Sequence, residues 1–316
     1  MARISSVAVL DIGTNSVIMT LAKCSRNGEI LSSKEYIATT MLGENLSANG
    51  DLSESAMQRT IEAIAEMFDI TQKDKVDDLI VTTSSVVRNA GNKSGFLLEC
   101  HRVLGTYPQV LSGEEEARFV FKGISTSFKE KEPILLIDIG GCSSEIAYGF
   151  RDQLKGSQSI DIGTIQIADM FQLHNKFSKQ NVNKARKYII EKLLSFHSEL
   201  AVWLQTNTPN VVVSSGTGTT YAAVIKKEYI YNREQVNDTI SDINELHLWT
   251  KNLAKLTPEE RLEVPGLVKE RVETLPVGLL ILWVILNLFR LNKFSITTYG
   301  LREGVLRHYI ENGYKL

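Results

Sequence analysis

The feature that most constrains the fold of this chain is a short pattern that occurs twice. The stretches VAVLDIGTNSVIMTLA (7–22) and ILLIDIGGCSSEIAYG (134–149) share one order: an apolar strand, Asp-Ile-Gly, small polar residues and a second apolar strand. The matching positions, each pair 127 residues apart, are Asp11 and Asp138, Gly13 and Gly140, and Ser16 and Ser143. This repeat predicts a duplicated fold in which one strand–turn–strand unit opens each of two domains.

Two ordinary β-hairpins are the simpler explanation, because glycine beside polar residues is the usual hairpin signal. The aspartate at the end of each apolar strand argues against it, since placing a carboxylate beside a buried strand costs free energy. Glycine and small residues in the loops also leave backbone N–H groups that can bind an anion. We therefore predict a pair of anion-binding loops, chiefly because the pattern occurs twice.

Length and composition set further limits. The 316 residues are enough for about two domains. The net charge of −2 argues against a broad electrostatic surface for nucleic acid. The longest apolar run, LPVGLLILWVIL (275–286), is shorter than the roughly 20 residues of a membrane span, so it predicts a buried helix.

The cysteines and the N-terminus indicate a reduced, cytoplasmic protein. Cys24, Cys100 and Cys142 are odd in number and form no CxxC pair. The first residues, MARISSVAVLD, enter a strand almost at once, which leaves no room for a signal peptide. Strands then alternate with helices, which is typical of an α/β protein, and we place the domains at residues 1–124 and 125–316.

Six blocks in the same order identify a family resemblance. They are DIGTNS (11–16), TTSSVVRNAGN (82–92), SGEEEAR (112–118), DIGGCSSE (138–145), SSGTGTT (214–220) and GLREGVL (300–306). In these blocks the chain resembles the Ppx/GppA family of exopolyphosphatases and guanosine pentaphosphate phosphohydrolases, within the actin, sugar-kinase and Hsp70 ATPase group. The resemblance implies a two-domain, actin-like (ribonuclease H-like) α/β fold with an interdomain cleft. It also implies a C-terminal helix, about residues 303–316, packed on the first domain, and it leaves a homodimer open.

The resemblance also identifies candidate phosphate ligands. An arginine fork matches phosphate geometry, although an arbitrary arginine such as Arg88 is more often a solvated helix residue. The stretch SSGTGTTY is predicted to be a glycine-rich turn between a strand and a helix. It has Tyr221 where a dinucleotide loop needs its third glycine, which excludes an NAD site. The implied phosphate-binding residues are Gly13, Thr14, Asn15, Ser16, Arg88, Gly140, Gly141, Cys142, Ser143, Gly216, Thr217 and Gly218.

Acidic residues supply the remaining chemistry. Ser112 and Glu115 fit a capping box, which explains Glu115 structurally. Glu116 directly precedes Ala-Arg, the position at which the resemblance implies the catalytic base. Mg²⁺, or another divalent cation, prefers carboxylate oxygens, and the implied ligands are Asp11, Asp138 and Glu145.

The expected reaction is hydrolysis of the terminal phosphoanhydride of inorganic polyphosphate. Guanosine pentaphosphate is the alternative substrate, and an ATP-dependent kinase or a non-catalytic sensor of polyphosphate or alarmone stays open. Three departures from the family pattern bear on activity: Ile18 and Gln166 replace arginines, and Cys142 replaces a glycine. Neither nucleic acid nor a membrane span is expected.

Overall fold

The computed structural model describes residues 5–25, 29–44, 46, 50–151, 153–230 and 232–313. Its strands are β1 (Ser5–Ile12), β2 (Ser16–Cys24), β3 (Ile30–Thr39), β4 (Asp78–Thr83), β5 (Gln109–Val110), β6 (Ile134–Ile139), β7 (Ser144–Phe150), β8 (Gln153–Ile160), β9 (Asn210–Ser214), β10 (Thr239–Asp242) and β11 (Lys293–Ile296).

The helices of the described residues lie between and after these strands. They are α1 (Glu54–Lys73), α2 (Ser85–Arg88), α3 (Lys93–Leu104), α4 (Gly113–Ser125), α5 (Thr164–Phe171), α6 (Lys179–Thr206), α7 (Ser215–Lys226), α8 (Arg233–Val236), α9 (Ile243–Ala254), α10 (Pro258–Leu262), α11 (Thr274–Leu288) and α12 (Leu301–Glu311). A short 3₁₀ helix spans Lys269–Arg271.

The chain divides into two compact units. The first contains the chain up to Gly123 together with the segment that begins at Leu301, and the second is Ile124–Gly300. The sequence analysis placed its boundary between residues 124 and 125 and assigned 125–316 to the second domain. The division of the structure gives α12 to the first unit. This helix begins at Leu301 rather than near residue 303, and residues 314–316 of the predicted helix lie outside the described residues.

The first unit is built on a five-stranded sheet in the order β3-β2-β1-β4-β5. The β1–β2–β3 meander is antiparallel. Strand β4 pairs in parallel with β1, and β5 pairs in parallel with β4, with helices in the connections between these strands. Strand β1 is mostly buried, and its apolar residues form a core with Phe119 of α4 and with Val305 and Leu306 of α12. The sheet therefore holds the end of β1, where Asp11 lies, between neighbouring strands.

The second unit repeats this arrangement. Its six-stranded sheet has the order β10-β11-β9-β6-β7-β8, in which β8, β7, β6 and β9 correspond to β3, β2, β1 and β4. Strands β6 and β7 are antiparallel and β6 and β9 are parallel, as in the first unit. The duplication predicted from the sequence is thus present in the connectivity of both sheets.

Local signals explain where the main helices begin. Ser53 accepts a hydrogen bond from the backbone of Ala56 and caps α1, and Ser178 caps α6 by accepting from Asn181. Asp242 caps α9 in the same manner. The apolar run 275–286 lies in α11, whose residues from Thr274 to Leu282 are all buried, as its composition predicts. Among the described residues, no helix is both long and apolar enough to span a membrane.

The described chain from Ile243 onward is mainly helical, and the short strand β11 within it pairs with both β9 and β10. One local expectation differs from the structure. The glycine-rich stretch after β9 was expected to form a turn before a helix. Instead, α7 begins directly at Ser215, so these glycines lie in its first turns.

Candidate functional site

In the first unit, the loop between β1 and β2 is a tight hairpin fixed from outside. The N–H of Gly13 donates to the carbonyl of Ser16 across 3.0 Å. The carbonyl of Asn15 accepts from the N–H groups of Thr40 and Met41 at 3.1 and 2.9 Å. The N–H groups of Thr14 and Asn15 themselves make no backbone hydrogen bond with the described residues. The loop thus holds these N–H groups in place, and a bound anion can accept hydrogen bonds from them.

The corresponding loop of the second unit has the same closure. The N–H of Gly140 donates to the carbonyl of Ser143 across 2.9 Å, while the N–H groups of Gly141 and Ser143 have no backbone acceptor among the residues described. Cys142 is not among the residues with positive φ, so its backbone lies in the ordinary negative range. The replacement of glycine by Cys142 therefore does not strain this loop.

Hydroxyl groups support both aspartates in equivalent ways. Asp11 of β1 is in register with Thr82 of β4, whose hydroxyl lies 3.5 Å from the Asp11 carboxylate. Asp138 of β6 is in register with Ser214 of β9, whose hydroxyl donates to the Asp138 carboxylate. The sequence analysis did not assign Thr82 or Ser214, because only the parallel pairing of the strands brings them beside the aspartates.

The next position repeats the correspondence. Thr83 donates its hydroxyl to the carbonyl of Ile12 across 2.9 Å, and Ser215 donates to the carbonyl of Ile139 across 2.8 Å. These carbonyls directly follow the two aspartates. Each strand end is therefore tied to the adjacent parallel strand by a pair of hydroxyl groups, which limits the movement of the hairpin that follows.

The two hairpins differ in the residue opposite the aspartate. Asp138 is paired with Glu145 across β6 and β7, whereas Asp11 is paired with Ile18 across β1 and β2. Residues directly opposite in an antiparallel pair project from the same face, so two carboxylates adjoin only in the second unit. Glu145 is buried and accepts a hydrogen bond from Ser159 at 2.7 Å. Burial raises the pKa of Asp138, although hydrogen bonds from Ser214 and Ser215 oppose this shift.

This donor set bears on the predicted cation. Within the part of the chain that the structure describes, no three His, Cys, Asp or Glu side chains form a group able to hold a metal ion. Mg²⁺ usually takes only one or two carboxylates and completes its shell with water and substrate phosphate. Asp138 and Glu145 supply such a pair, so their donors fit a Mg²⁺ bound together with a phosphate. Asp11, the third predicted ligand, belongs to the first unit.

The first unit also brings Glu116 and Arg88 together. One guanidinium nitrogen of Arg88 lies 3.4 Å from the Glu116 carboxylate and donates to the carbonyl of Leu111 across 2.5 Å. Glu116 is buried in the first turn of α4, while α2 carries Arg88 at its end. Arg88 is therefore not a solvated helix residue, since one nitrogen of its guanidinium contacts a carboxylate and a backbone oxygen.

The neighbouring glutamate has the structural role predicted for it. Ser112 accepts a hydrogen bond from the N–H of Glu115 at 3.2 Å, and the Glu115 carboxylate accepts from the N–H of Ser112 at 2.8 Å. This is a capping box, and the hydrogen bonds from Ser112 lower the pKa of Glu115. Because the cap holds the first turn of α4, it also fixes the backbone that carries Glu116.

The glycine-rich start of α7 has divided roles. Thr217 is buried, and its hydroxyl donates to the carbonyl of Ile139 across 2.9 Å. A Cβ at Gly218 would lie 3.1 Å from Val213, so this glycine permits packing against the sheet. Of the three predicted phosphate ligands here, only Gly216 is not buried. Thr217 and Gly218 serve the interior of the second unit.

Gly216 reveals a residue that the sequence analysis missed. A Cβ at Gly216 would lie 2.1 Å from a guanidinium nitrogen of Arg271, so only glycine leaves room for this side chain. Burial lowers the pKa of Arg271. No hydrogen bond or ion pair of its guanidinium with other described residues is present. Nothing in the local sequence around Arg271 marks it, because its position depends on how the 3₁₀ helix packs on α7.

Ile18 and Gln166, the residues that replace two arginines of the family pattern, can be located in the structure. Ile18 lies opposite Asp11, as described above, and therefore adds no charge to that hairpin. Gln166 lies in α5, where its N–H is 3.4 Å from the carbonyl of Gly141, and its side-chain oxygen is buried with no hydrogen-bond partner in the described part of the chain. Gln166 is thus adjacent to the second loop.

Comparison with known proteins identifies relatives. A model of the Ppx/GppA phosphatase family matches residues 25–312. A bifunctional 3-dehydroquinate synthase/phosphatase of Fusobacterium nucleatum is 30% identical over 96% of this chain and 46% of its own length. A "Putative exopolyphosphatase" of Haemophilus influenzae is 26% identical over 96% of this chain and 91% of that protein. A guanosine-5'-triphosphate,3'-diphosphate pyrophosphatase of Aliivibrio fischeri is 26% identical over 94% of this chain and 58% of its length.

Solved structures show the same fold. An exopolyphosphatase from Cytophaga hutchinsonii aligns with a TM-score of 0.87 at 24% identity, covering 98% of this chain and 99% of that chain. The Aquifex aeolicus PPX-GPPA enzyme aligns with a TM-score of 0.79 at 24% identity, covering 97% and 100%. The actin-like α/β fold class predicted from the sequence is confirmed. The chain spans only about half the length of two of the three relatives named above.

Proposed function

Because this chain belongs to the Ppx/GppA phosphatase family, we propose that it hydrolyses the terminal phosphoanhydride bond of inorganic polyphosphate. The observation that carries the proposal is the buried Glu116 beside the fork of Arg88. A buried carboxylate that contacts a phosphate-binding type of side chain is suited to activate water next to a bound phosphate. The paired hairpins supply the backbone donors that such a substrate needs.

The proposal assigns roles to Glu116, to Arg88 and to the N–H groups of the loops. Glu116 accepts a proton from the attacking water, while Arg88 binds an oxygen of the phosphate that is transferred. In each unit the N–H groups of the loop, those of Thr14 and Asn15 in the first and of Gly141 and Ser143 in the second, are donors that stabilise negative charge on phosphate oxygens. These donors are held before substrate arrives, so little reorganisation is needed during the reaction.

Arg271 adds a cation that the sequence did not indicate. Its guanidinium lies against Gly216 and has no acidic partner within hydrogen-bonding distance among the described residues. We assign Arg271 to a phosphate of the polyphosphate that remains after cleavage, because a partly buried cation with no hydrogen-bonded acidic partner among the described residues gains from binding an anion. Thr217 and Gly218 contribute by holding the start of α7 in place.

In the second unit the divalent cation would be held by Asp138 and Glu145. Asp11, also predicted as a ligand, lies in the first unit. Mg²⁺ supplies charge neutralisation on phosphate oxygens when it is bound. The hydroxyl of Ser214 orients the Asp138 carboxylate, and that of Ser159 orients Glu145. Such supporting hydrogen bonds fix the direction of ligand oxygens.

The first test replaces Glu116. We expect Glu116→Gln to lower the rate of phosphate release from polyphosphate by about 10²–10⁴-fold, because the variant loses its proton acceptor and keeps its shape. The measurement is steady-state phosphate release in the presence of Mg²⁺. Glu115→Gln is the matched control, since glutamine also completes a capping box, and its rate should stay near that of the wild type. Near-normal turnover of Glu116→Gln would refute the assignment of the base.

Guanosine pentaphosphate is the second candidate substrate. It is favoured by the relatives from Aliivibrio fischeri and Pseudoalteromonas translucida, both named guanosine-5'-triphosphate,3'-diphosphate pyrophosphatase. The residues of the chemistry are the same for both substrates.

A comparison of substrates separates the alternatives. Purified protein is incubated with Mg²⁺ and polyphosphate, guanosine pentaphosphate or ATP, and kcat/KM for phosphate release is measured for each. We expect the value for polyphosphate to exceed the others. A larger value for guanosine pentaphosphate would reverse the order of the two substrates. Binding without release of phosphate from any of them would favour a sensor, and ATP consumption only with an added acceptor would favour a kinase.

A further inference from the structure

The second unit contains a histidine whose two ring nitrogens both contact carboxylates. His174 lies between α5 and α6. Its Nε2 is 3.0 Å from the Asp169 carboxylate, and its Nδ1 is 3.0 Å from the Glu273 carboxylate. A neutral imidazole has a single N–H, so only the protonated ring can donate to both carboxylates at once. The observed arrangement is therefore that of a cationic His174.

One of these carboxylates, that of Asp169, lies on a helix that is hydrogen-bonded to the second anion-binding loop. Asp169 belongs to α5, the helix that begins beside this loop. The N–H groups of Thr164 and Ile165 donate to the carbonyls of Gly140 and Gly141, both at 2.9 Å. The position of α5 is thus coupled to the backbone that presents donors to phosphate.

The other carboxylate, that of Glu273, lies close in sequence to Arg271, the cation that packs against Gly216. Glu273 follows Arg271 by two residues and directly precedes α11. The Arg271 guanidinium packs against Gly216 at the start of α7. His174 therefore joins the helix that supports one phosphate-binding element to the segment that carries Arg271.

A buried arginine forms the fixed part of this connection. Arg261 is fully buried and donates to the carbonyls of His174, Asn175 and Val272 at 3.1, 2.8 and 2.9 Å. Burial lowers the pKa of Arg261 to about 10, so it remains charged near neutral pH. The backbone connection persists across that range, and the contacts of the His174 ring are its titratable part.

The surrounding charges determine the direction of the pH effect. Besides Asp169 of α5 and Glu273, the charged groups near His174 are Arg261 and the pair formed by Lys176 and Glu260 of α10 at 3.3 Å. The hydrogen bond with Asp169, followed by that with Glu273, raises the pKa of His174 above its ordinary 6.5, while burial opposes the shift. Both contacts are therefore complete at low pH, and one of them loses its N–H donor as pH rises through the raised value.

We propose that His174 is a positioning residue whose cationic ring clamps α5 to the Arg271 segment and so keeps Arg271 in place for a phosphate chain. The proposal rests on the function proposed above. Loss of the proton from His174 leaves one carboxylate without a donor from the ring, and the Arg271 segment is held less firmly. Binding of the phosphate chain then weakens, whereas Glu116 and Arg88 are unaffected. KM accordingly rises with pH while kcat changes little.

The clamp itself can be measured without activity. Proton NMR of the full-length protein, titrated from about pH 5.5 to about pH 8.5, follows each histidine, and the signal absent from His174→Gln identifies His174. We expect His174 to titrate above the ordinary value and Glu273→Gln to return it towards that value. His197 is the control, because its ring stacks on Phe289 and has no carboxylate partner among the described residues.

The consequence for binding is measured with inorganic tripolyphosphate. Calorimetry gives its Kd for the wild type, His174→Gln, His174→Arg and His197→Gln over the same pH range. Each Kd is divided by the Kd of His174→Gln at the same pH, so that the change in protonation of tripolyphosphate itself cancels. We expect the wild-type advantage of about threefold to fivefold at low pH to disappear at high pH, a modest factor because exposed ion pairs are screened. His174→Arg, which stays charged, should keep the advantage at high pH, and His197→Gln should follow the wild type.

The outcomes separate the clamp from the proposed function. If His174 titrates normally, or an active wild type and His174→Gln bind tripolyphosphate equally at every pH, the clamp is overturned although the phosphatase proposal stands. If no variant binds or hydrolyses a polyphosphate at any pH, the proposed function fails and the role of His174 in anion binding fails with it. A raised pKa of His174 that is reduced by Glu273→Gln, together with a pH-dependent binding advantage, supports the proposal.

Discussion

At the scale of single residues, the second loop depends on one glycine outside it. Gly163 has extended φ and ψ values of −100° and 162°, which any residue can adopt. A Cβ there would nevertheless lie 2.1 Å from the carbonyl oxygen of Gly141 and 2.3 Å from the nitrogen of Cys142. The glycine is required by close approach of two backbones and not by conformation. Its substitution therefore acts directly on the loop that presents N–H groups to phosphate.

We predict that Gly163→Ala displaces this loop. The contacts are with backbone atoms, which cannot move aside as a side chain can, so we expect a loss of about 1–3 kcal/mol in the free energy of unfolding. The Kd for tripolyphosphate should rise in parallel. Urea denaturation and calorimetry measure the two effects. Gly95→Ala is the control, because a Cβ at Gly95 of α3 meets nothing within 4 Å, and alanine there should slightly stabilise the helix. A Gly163→Ala protein with unchanged stability and Kd would contradict this account.

At the scale of elements, two helices of the first unit determine where Glu116 lies. A Cβ at Gly304 of α12 would be 1.7 Å from the carbonyl oxygen of Phe119 in α4, so these helices touch through their backbones. Arg302 further ties α12 to the sheet through Thr20, at 2.9 Å, and through the Glu35 carboxylate. Phe119 follows Glu116 by three residues, about one helical turn. The C-terminal helix therefore supports the turn that carries the proposed base.

We predict that Gly304→Ala separates α4 from α12. The variant should lose about 1–3 kcal/mol of stability or more, because both contacting groups belong to helix backbones. Turnover should fall as well, since α4 moves with Glu116. Thermal unfolding and phosphate release are measured on the same preparation. Gly95→Ala again serves as the comparison, and a Gly304→Ala enzyme with the wild-type melting temperature would show that the helices are not in such close contact.

At the scale of the whole molecule, the chain is a duplication whose halves have diverged. Both units share the order of four strands, β3-β2-β1-β4 and β8-β7-β6-β9, together with the same hairpin closure and the same hydroxyl contacts to the strand ends. The two units differ in the residues to which the proposed chemistry is assigned. The second hairpin pairs Asp138 with Glu145, whereas the first places Ile18 opposite Asp11 and contributes Glu116 and Arg88 from its helices. The duplicated scaffold thus carries unequal functions.

This asymmetry predicts unequal effects of equivalent substitutions. Asp138→Asn should weaken activation by Mg²⁺ at least about tenfold, the smaller end of the range known for disturbed metal sites, because it removes one of two adjacent carboxylates. Asp11→Asn should weaken activation less, since no second carboxylate adjoins Asp11 on its hairpin. The measurement is the Mg²⁺ concentration that gives half-maximal phosphate release. Equal shifts in the two variants, or a larger one for Asp11→Asn, would contradict the inferred asymmetry.

Much of the architecture could be predicted because its signals are local. An apolar strand followed by Asp-Ile-Gly specifies a hairpin from adjacent residues, and its repetition indicated the duplication. The capping box of Ser112 and Glu115 spans four residues and was read correctly. The start of α7 was misjudged because the glycines of SSGTGTT favour a turn locally, while packing against the sheet and Arg271 allows them to be helical.

The sequence by itself determined the two hairpins, the fold class and most of the candidate residues, since each depends on neighbouring residues or on the order of whole blocks. Only the tertiary structure decided which side chains meet. Thr82 reaches Asp11 across 71 positions and Ser214 reaches Asp138 across 76, while Arg271 reaches Gly216 and His174 reaches Glu273 across 99. The register of parallel strands and the packing of distant helices bring such groups together, and no pattern of adjacent residues encodes either.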